Sequence, residues 1–210
     1  MINWLFSLFL PLIIHMVLSE MTVIFGGEWG NAALCTTVAA VLVIPIAGWM
    51  FFQDKKKKPK QEDGKTARNL FRFGLLCFVA GGVLNMVWSG VLNLFQIGTF
   101  FSNHTQEELL AADILLQLIG LGILVPVGEE LIFRGLIYNR MKQLLGTGVS
   151  VFFSSFLFAV YHGNPIQMIF AFPMALALTA VYEYGNSFWF PVLFHVGANL
   201  TAIVLNYFRF

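Results

Sequence analysis

Charge is what this chain has least of: Asp, Glu, Lys and Arg together make up 11% of its 210 residues, against 58% hydrophobic ones. Soluble domains carry about 25% charged residues, so a water-facing surface around one apolar core is excluded. Cysteine is scarce too. Cys35 and Cys77 each fall inside an apolar run with no CxxC spacing, which excludes a disulfide framework and leaves packing as their role. The abundant material is apolar, with 23 Phe and a mean hydropathy of +0.78. In lipid, backbone polar groups must be satisfied within the spanning segment or a closed barrel. Long apolar runs of this kind predict an all-α, polytopic membrane helix bundle.

The runs divide the chain. Residues 2–25 form a first segment interrupted by Pro11, His15 and Glu20; it lacks a basic leading region and a small-residue cleavage site, and is read as retained. A second span covers 31–52. Residues 70–101 suffice for one tilted helix plus an interfacial piece, with Gly81 and Gly82 as a candidate break. Four more helices are expected over 114–145, 148–162, 165–184 and 187–207. The total is about seven spans, or eight, in a single membrane domain over 1–210, with no internal repeat. Within it, 1–110 is generic membrane helix and 114–207 carries the polar motifs.

The formal net charge of +1 hides a strong bias, because eight of the twelve Lys and Arg residues fall between Lys55 and Arg72. A basic loop over 53–69 places that side in the cytoplasm. The connections with Glu28 and with Glu107, Glu108 and Asp113 then lie outside, and the N-terminus lies inside. A lipid- or nucleic-acid-binding patch is the rival reading of Lys55–Lys60, but topology is the commoner use of such a loop, and no nucleic acid is expected as a partner.

Three ionisable residues break the fourth span, in Val125-Pro-Val-Gly-Glu-Glu-Leu-Ile-Phe-Arg-Gly135. Insertion scales put an Asp, Lys or Arg at a helix centre at about +2.5 to +3.5 kcal/mol, so such groups pair, face a wet cavity or do chemistry. Glu130 and Arg134 are four apart and share a face, which suits an ion pair. Glu129 lies about 100° further round, with no cation on its own face, and is left available to a water. The alternative is that all three lock helices together.

His162 closes the fifth helix one turn after Phe158, whose ring restricts the imidazole. His195 and Asn199 are four apart on the seventh helix, with small residues between them. Counted from the proposed cytoplasmic ends at about 1.5 Å per residue, Glu129, His162 and His195 fall between about 12 and 20 Å deep. One intramembrane cavity can hold them. A carboxylate, two imidazoles and a carboxamide suit amide hydrolysis, with Glu129 and His162 activating water and His195 and Asn199 donating to the oxyanion. HExxH, a GxGD aspartate pair and a GxSG serine are all missing. Two His and one Glu can also ligate zinc, so a zinc-dependent hydrolysis is the mechanistic rival.

Taken together, EExxxR (Glu129, Glu130, Arg134), FxxxH (Phe158, His162) and HxxxN (His195, Asn199), in this order on successive apolar helices, resemble the CPBP family of CAAX prenyl endopeptidases and bacteriocin-processing (Abi) proteins. The resemblance covers roughly Leu121 to Leu205. It implies an intramembrane glutamic endopeptidase without a metal or other cofactor, in which Glu129 and His162 activate water, His195 and Asn199 form the oxyanion site, and Glu130, Arg134 and Phe158 support it. The compact loops are similar to those of bacterial members, which implies a bacterial cytoplasmic membrane and a membrane-associated peptide or protein as substrate. Some members act instead as non-catalytic scaffolds for a partner such as a sensor kinase, and that alternative stays open. A transporter is disfavoured by the lack of paired broken helices.

Overall fold

A computed structural model describes residues 2–27, 30–56, 67–100 and 104–208. Most of the basic loop, Lys57 to Thr66, lies outside the described residues, as does Glu28. Every regular element among the described residues is a helix. The long ones are α1 (Ile2–Gly26), α2 (Ala32–Lys56), α3 (Ala67–Leu94), α4 (Ile114–Leu145), α5 (Thr147–Tyr161), α6 (Pro165–Gly185) and α7 (Trp189–Phe208). Two short helices, Ile97–Phe100 and His104–Leu110, join α3 to α4.

All but α5 are long and apolar enough to cross a membrane. The fifth expected span is present as a helix, but its 15 residues reach only about 22 Å at 1.5 Å per residue, short of a hydrocarbon core of about 30 Å. Local chemistry ends the helices where hydropathy alone is silent. Gly146, at φ 74°, separates α4 from α5 in a backbone region that only glycine enters freely. Asn164 caps α6 by accepting from the Ile166 amide, and Pro165 fills the first helical position, where its missing N–H costs nothing. The polar turn His162-Gly-Asn164 is thereby held tight between α5 and α6.

α4 is one rod with two kinds of turn. An α-helical segment, Val125–Glu130, lies between two π-helical stretches, Gln117–Leu124 and Leu131–Tyr138. Pro126 accounts for the first: it cannot donate to the carbonyl one turn back, and its ring crowds that carbonyl, so the preceding turn widens. Side chains serve carbonyls along this rod. Asn199 Nδ2 donates to Leu121 O at 2.9 Å, and Asn139 Nδ2 to the carbonyls of Arg134 and Gly135 at 2.9 and 3.1 Å.

α4 is the axis of the bundle. Its residues Leu131, Ile132, Phe133, Leu136 and Ile137 are buried against Leu8 and Leu12 of α1, Val43 and Ala47 of α2, Phe158 of α5 and Ala171 and Ala175 of α6. Cys35 and Cys77 are buried and free, as expected of packing residues, and Cys35 Sγ also donates to the Thr22 carbonyl of α1. At one end of the bundle, Arg140 pairs with Asp54 at 2.7 Å and Lys142 with Glu183 at 2.6 Å. These two cations tie α4 to α2 and α6. Outward faces keep large apolar side chains such as Phe6, Val17, Trp49, Leu76, Val87 and Phe156 exposed, as lipid contact requires.

Gly81 and Gly82 do not break α3. They are buried in an unbroken helix that packs along α7. A Cβ on Gly81 would fall on the Phe194 carbonyl oxygen, and one on Gly197 would fall on the Phe78 carbonyl oxygen. Small residues let two backbones touch where lipid supplies no hydrophobic drive for association; the pair marks a contact rather than a kink. Gly81→Val should therefore push α3 from α7 and destabilise the fold by about 1 to 3 kcal/mol. Gly90→Ala, on open space along the same helix, should not. Thermal unfolding in detergent checks this, and equal midpoints for the two variants would refute the contact's importance.

Candidate active site

The charged cluster is built outward from α4. Glu130 Oε1 accepts from Arg134 Nη1 at 2.9 Å, the i,i+4 pair expected from the spacing. Both side chains are within the buried interior, at 0% and 2% exposure. The second guanidinium nitrogen, Nη2, donates to the Ala175 carbonyl of α6 at 3.1 Å, and the guanidinium carbon lies 4.5 Å from the centre of the Phe158 ring. Arg134 thus satisfies its charge with one carboxylate, one backbone carbonyl and one aromatic face, drawn from three helices.

α7 delivers His195 between the two carboxylates. Its Nδ1 is 2.9 Å from Glu130 Oε1, and its Nε2 is 3.7 Å from Glu129 Oε2. Glu129 was expected to stand without a cationic partner because its own helix face offers none. Across the helix interface it has one whenever His195 is protonated, and a helical wheel cannot see that neighbour. The same contact draws Glu130, assigned to structure alone, into the electrostatics of the site. A carboxylate at Glu130 accepts, so Nδ1 of His195 carries a hydrogen, and Nε2 can donate only when the ring holds both protons.

One turn further on, Asn199 uses one Nδ2 hydrogen on Leu121 O, which leaves a second N–H on the same nitrogen. His162 is the residue that ends α5. Its Nδ1 is 2.8 Å from the Phe158 carbonyl, which can only accept, so Nδ1–H is fixed and Nε2 of the neutral ring is an acceptor. Phe158 is the centre of the assembly: its ring lies 4.9 Å from His162, 5.9 Å from His195 and 4.9 Å from Phe133. The expected rotamer restraint on His162 is therefore one of several tasks of this ring.

All the motif residues converge, but not all of them touch. Among the described residues no hydrogen bond or ion pair joins His162 to Glu129, and no three His, Cys, Asp or Glu side chains are placed to hold a metal ion. Two residues outside the motifs also turn inward. The rings of His15 of α1 and Tyr161 of α5 lie 5.6 Å apart, tilted by 37°. In the sequence His15 registers only as a polar interruption of the first span; the signal that could have singled it out is its i,i+4 spacing to Ser19 in an otherwise apolar segment.

Comparison with known proteins falls on the same helices. Residues 111–201 match the family model described as "Type II CAAX prenyl endopeptidase Rce1-like". The chain is similar to "Putative membrane peptidase YdiL" of Bacillus subtilis (strain 168), at 20% identity over 184 residues, which cover 85% of this chain and 71% of that protein. No solved structure matches. The two matches bear out the resemblance to the CPBP family drawn from the three motifs.

Removing one partner of a buried ion pair strands the other charge, at a cost of about 3 to 5 kcal/mol. Arg134→Ala should accordingly lower expression and thermal stability sharply, with Arg134→Lys intermediate because it keeps charge but loses the planar fork. Detergent-solubilised yield and melting temperature report this; a stable, well-expressed Arg134→Ala would show that the pair is dispensable.

Proposed function

We propose that this protein is an intramembrane endopeptidase that hydrolyses a peptide bond of a membrane-associated peptide or protein, with Glu129 as the base. A membrane peptidase role is supported by both comparisons. The finer reading rests on one observation above the rest: of two adjacent buried carboxylates, Glu130 is bonded to Arg134 and His195 through Oε1, while among the described residues Glu129 meets only His195 Nε2, at 3.7 Å. One carboxylate is held, and its neighbour is free to take a proton.

In this reading a water lies between Glu129 and His162 Nε2. Glu129 takes its proton, the hydroxide oxygen bonds to the substrate carbonyl carbon, and the carbonyl π electrons move to oxygen. His195 Nε2–H and the second Asn199 Nδ2–H donate to that oxyanion, each such donor contributing about 3 to 4 kcal/mol in comparable sites. Collapse of the intermediate breaks the C–N bond, and the proton held by Glu129 passes to the leaving amine. His195 must carry both ring protons to donate, and the two carboxylates beside it supply the compensating charge. Arg134 holds Glu130 in place and Phe158 fixes the two imidazoles.

The surroundings support a membrane-associated substrate. The site lies inside a bundle whose outer faces are apolar, so a peptide reaches it from the bilayer. Residues 53–69 on the cytoplasmic side and the N-terminus inside, in a bacterial cytoplasmic membrane, complete the proposal.

Glu129→Gln, nearly isosteric, should abolish peptide cleavage, by at least about 10² to 10⁴-fold, while leaving the melting temperature within about a degree or two of wild type. Mass spectrometry of membrane peptides from cells carrying wild type or Glu129→Ala identifies the substrate, and a synthetic copy in proteoliposomes measures the rate. Equal cleavage by both proteins would sink the assignment. Loss of wild-type activity on zinc chelation would move it to a metalloenzyme. Full cellular function in a Glu129→Ala, His162→Ala double variant would favour the scaffold instead.

A further inference from the structure

Small residues clamp α3 to α7 at Gly81 and Gly197, and small residues also line the seam between α3 and α6. Two adjoining hollows run along that seam, and Phe73 and Tyr184, with ring centres 5.6 Å apart, line both. The first, of about 320 Å³, lies between Cys77 and Ala80 of α3 and Ala180 and Val181 of α6, with Phe194 of α7 also lining it. The second, of about 470 Å³, is bounded by Asn69 and Leu70 of α3 and Phe190 of α7. Leu76 and Tyr184 are exposed at the edge, so the seam opens on the side of the bilayer.

Polarity changes in one direction along the seam. The walls of the first hollow are apolar, and the second adds the carboxamide of Asn69. Arg72 is exposed one helical turn from both Asn69 and Leu76, which puts its charge at the rim. It closes the cluster of eight Lys and Arg that begins at Lys55. Among the described residues no Asp or Glu lines either hollow.

We propose that this seam binds one anionic phospholipid, its phosphate against Arg72 and Asn69 and one acyl chain running past Phe73 into the apolar hollow. Charge and polarity along the seam match those of the lipid, and the guanidinium offers a phosphate its fork of donors. Size decides against a spanning peptide. One helical turn, 10 Å across and 5.4 Å high, fills roughly 400 Å³, so a helix of several turns does not enter hollows of 320 and 470 Å³, whereas an acyl chain is one carbon wide. The bound chain braces α3 against α6 and touches Phe194, the residue before His195, which gives the half of the molecule without motifs a ligand of its own.

The test is native mass spectrometry of the full chain released from nanodiscs of phosphatidylglycerol and phosphatidylcholine in equal parts. Wild type should retain one lipid, with phosphatidylglycerol favoured about fivefold. Arg72→Gln should abolish the preference. Lys56→Gln, which removes the same charge from the exposed end of α2, should keep it. Val181→Phe and Ala80→Phe fill the first hollow from opposite walls, and whichever of them holds a wild-type melting temperature in detergent should retain either lipid about tenfold less. Equal retention of the two lipids by wild type, loss of the preference in Lys56→Gln, or undiminished retention in a folded filling variant overturns the proposal. A dimer mass that disappears in the filling variants would also overturn it, by assigning the seam to a second copy of the chain.

Discussion

The buried pair of Glu130 and Arg134 is the constraint on which this structure depends. Two opposite charges inside an apolar bundle need partners beyond each other, and theirs come from three other helices: Ala175 on α6, Phe158 on α5 and His195 on α7. The pair is thus a hub for orientation as much as a source of energy. Replacing it with apolar residues could keep the helices together, but α5 and α7 would lose the directional contacts that bring their histidines to α4.

The sequence made some layers legible and hid others. The Glu130–Arg134 bond was readable because it lies within one helix, where spacing alone decides proximity. The bounds of α4 to α7 were readable to within about two residues, because turn chemistry at Gly146, Gly163, Asn164 and Asn186 coincides with the edges of apolar runs. His195 between two carboxylates was not readable, since it depends on how α7 lies against α4. Gly81 and Gly82 were misread for a similar reason: glycine in a helix signals a break or a close contact, and only the neighbouring helix tells which. The π-helical turns of α4 left no trace in hydropathy, which changes little between an α and a π turn. His15 was hidden in a segment that matches no motif.

Motif order also acquires a physical meaning. EExxxR, FxxxH and HxxxN lie on α4, α5 and α7, and α6 between them contributes no motif; its Ala175 carbonyl instead receives the guanidinium. A helix can be essential to a site while offering only backbone to it. Such contributions are invisible to any search by residue type, because a carbonyl is the same in every amino acid.

A related asymmetry governs where this chain can change. α3 and α7 meet main chain to main chain, through Gly81 against Phe194 and Gly197 against Phe78. Substitution cannot remove a carbonyl; it can only add bulk in front of one. The position of His195 is therefore insulated from the identity of nearly every side chain that α3 turns toward lipid, and is hostage to the hydrogen atoms of two glycines. The half of the molecule without motifs can vary widely in composition, while a single methyl at either of those points would reach the buried charged cluster through the backbone.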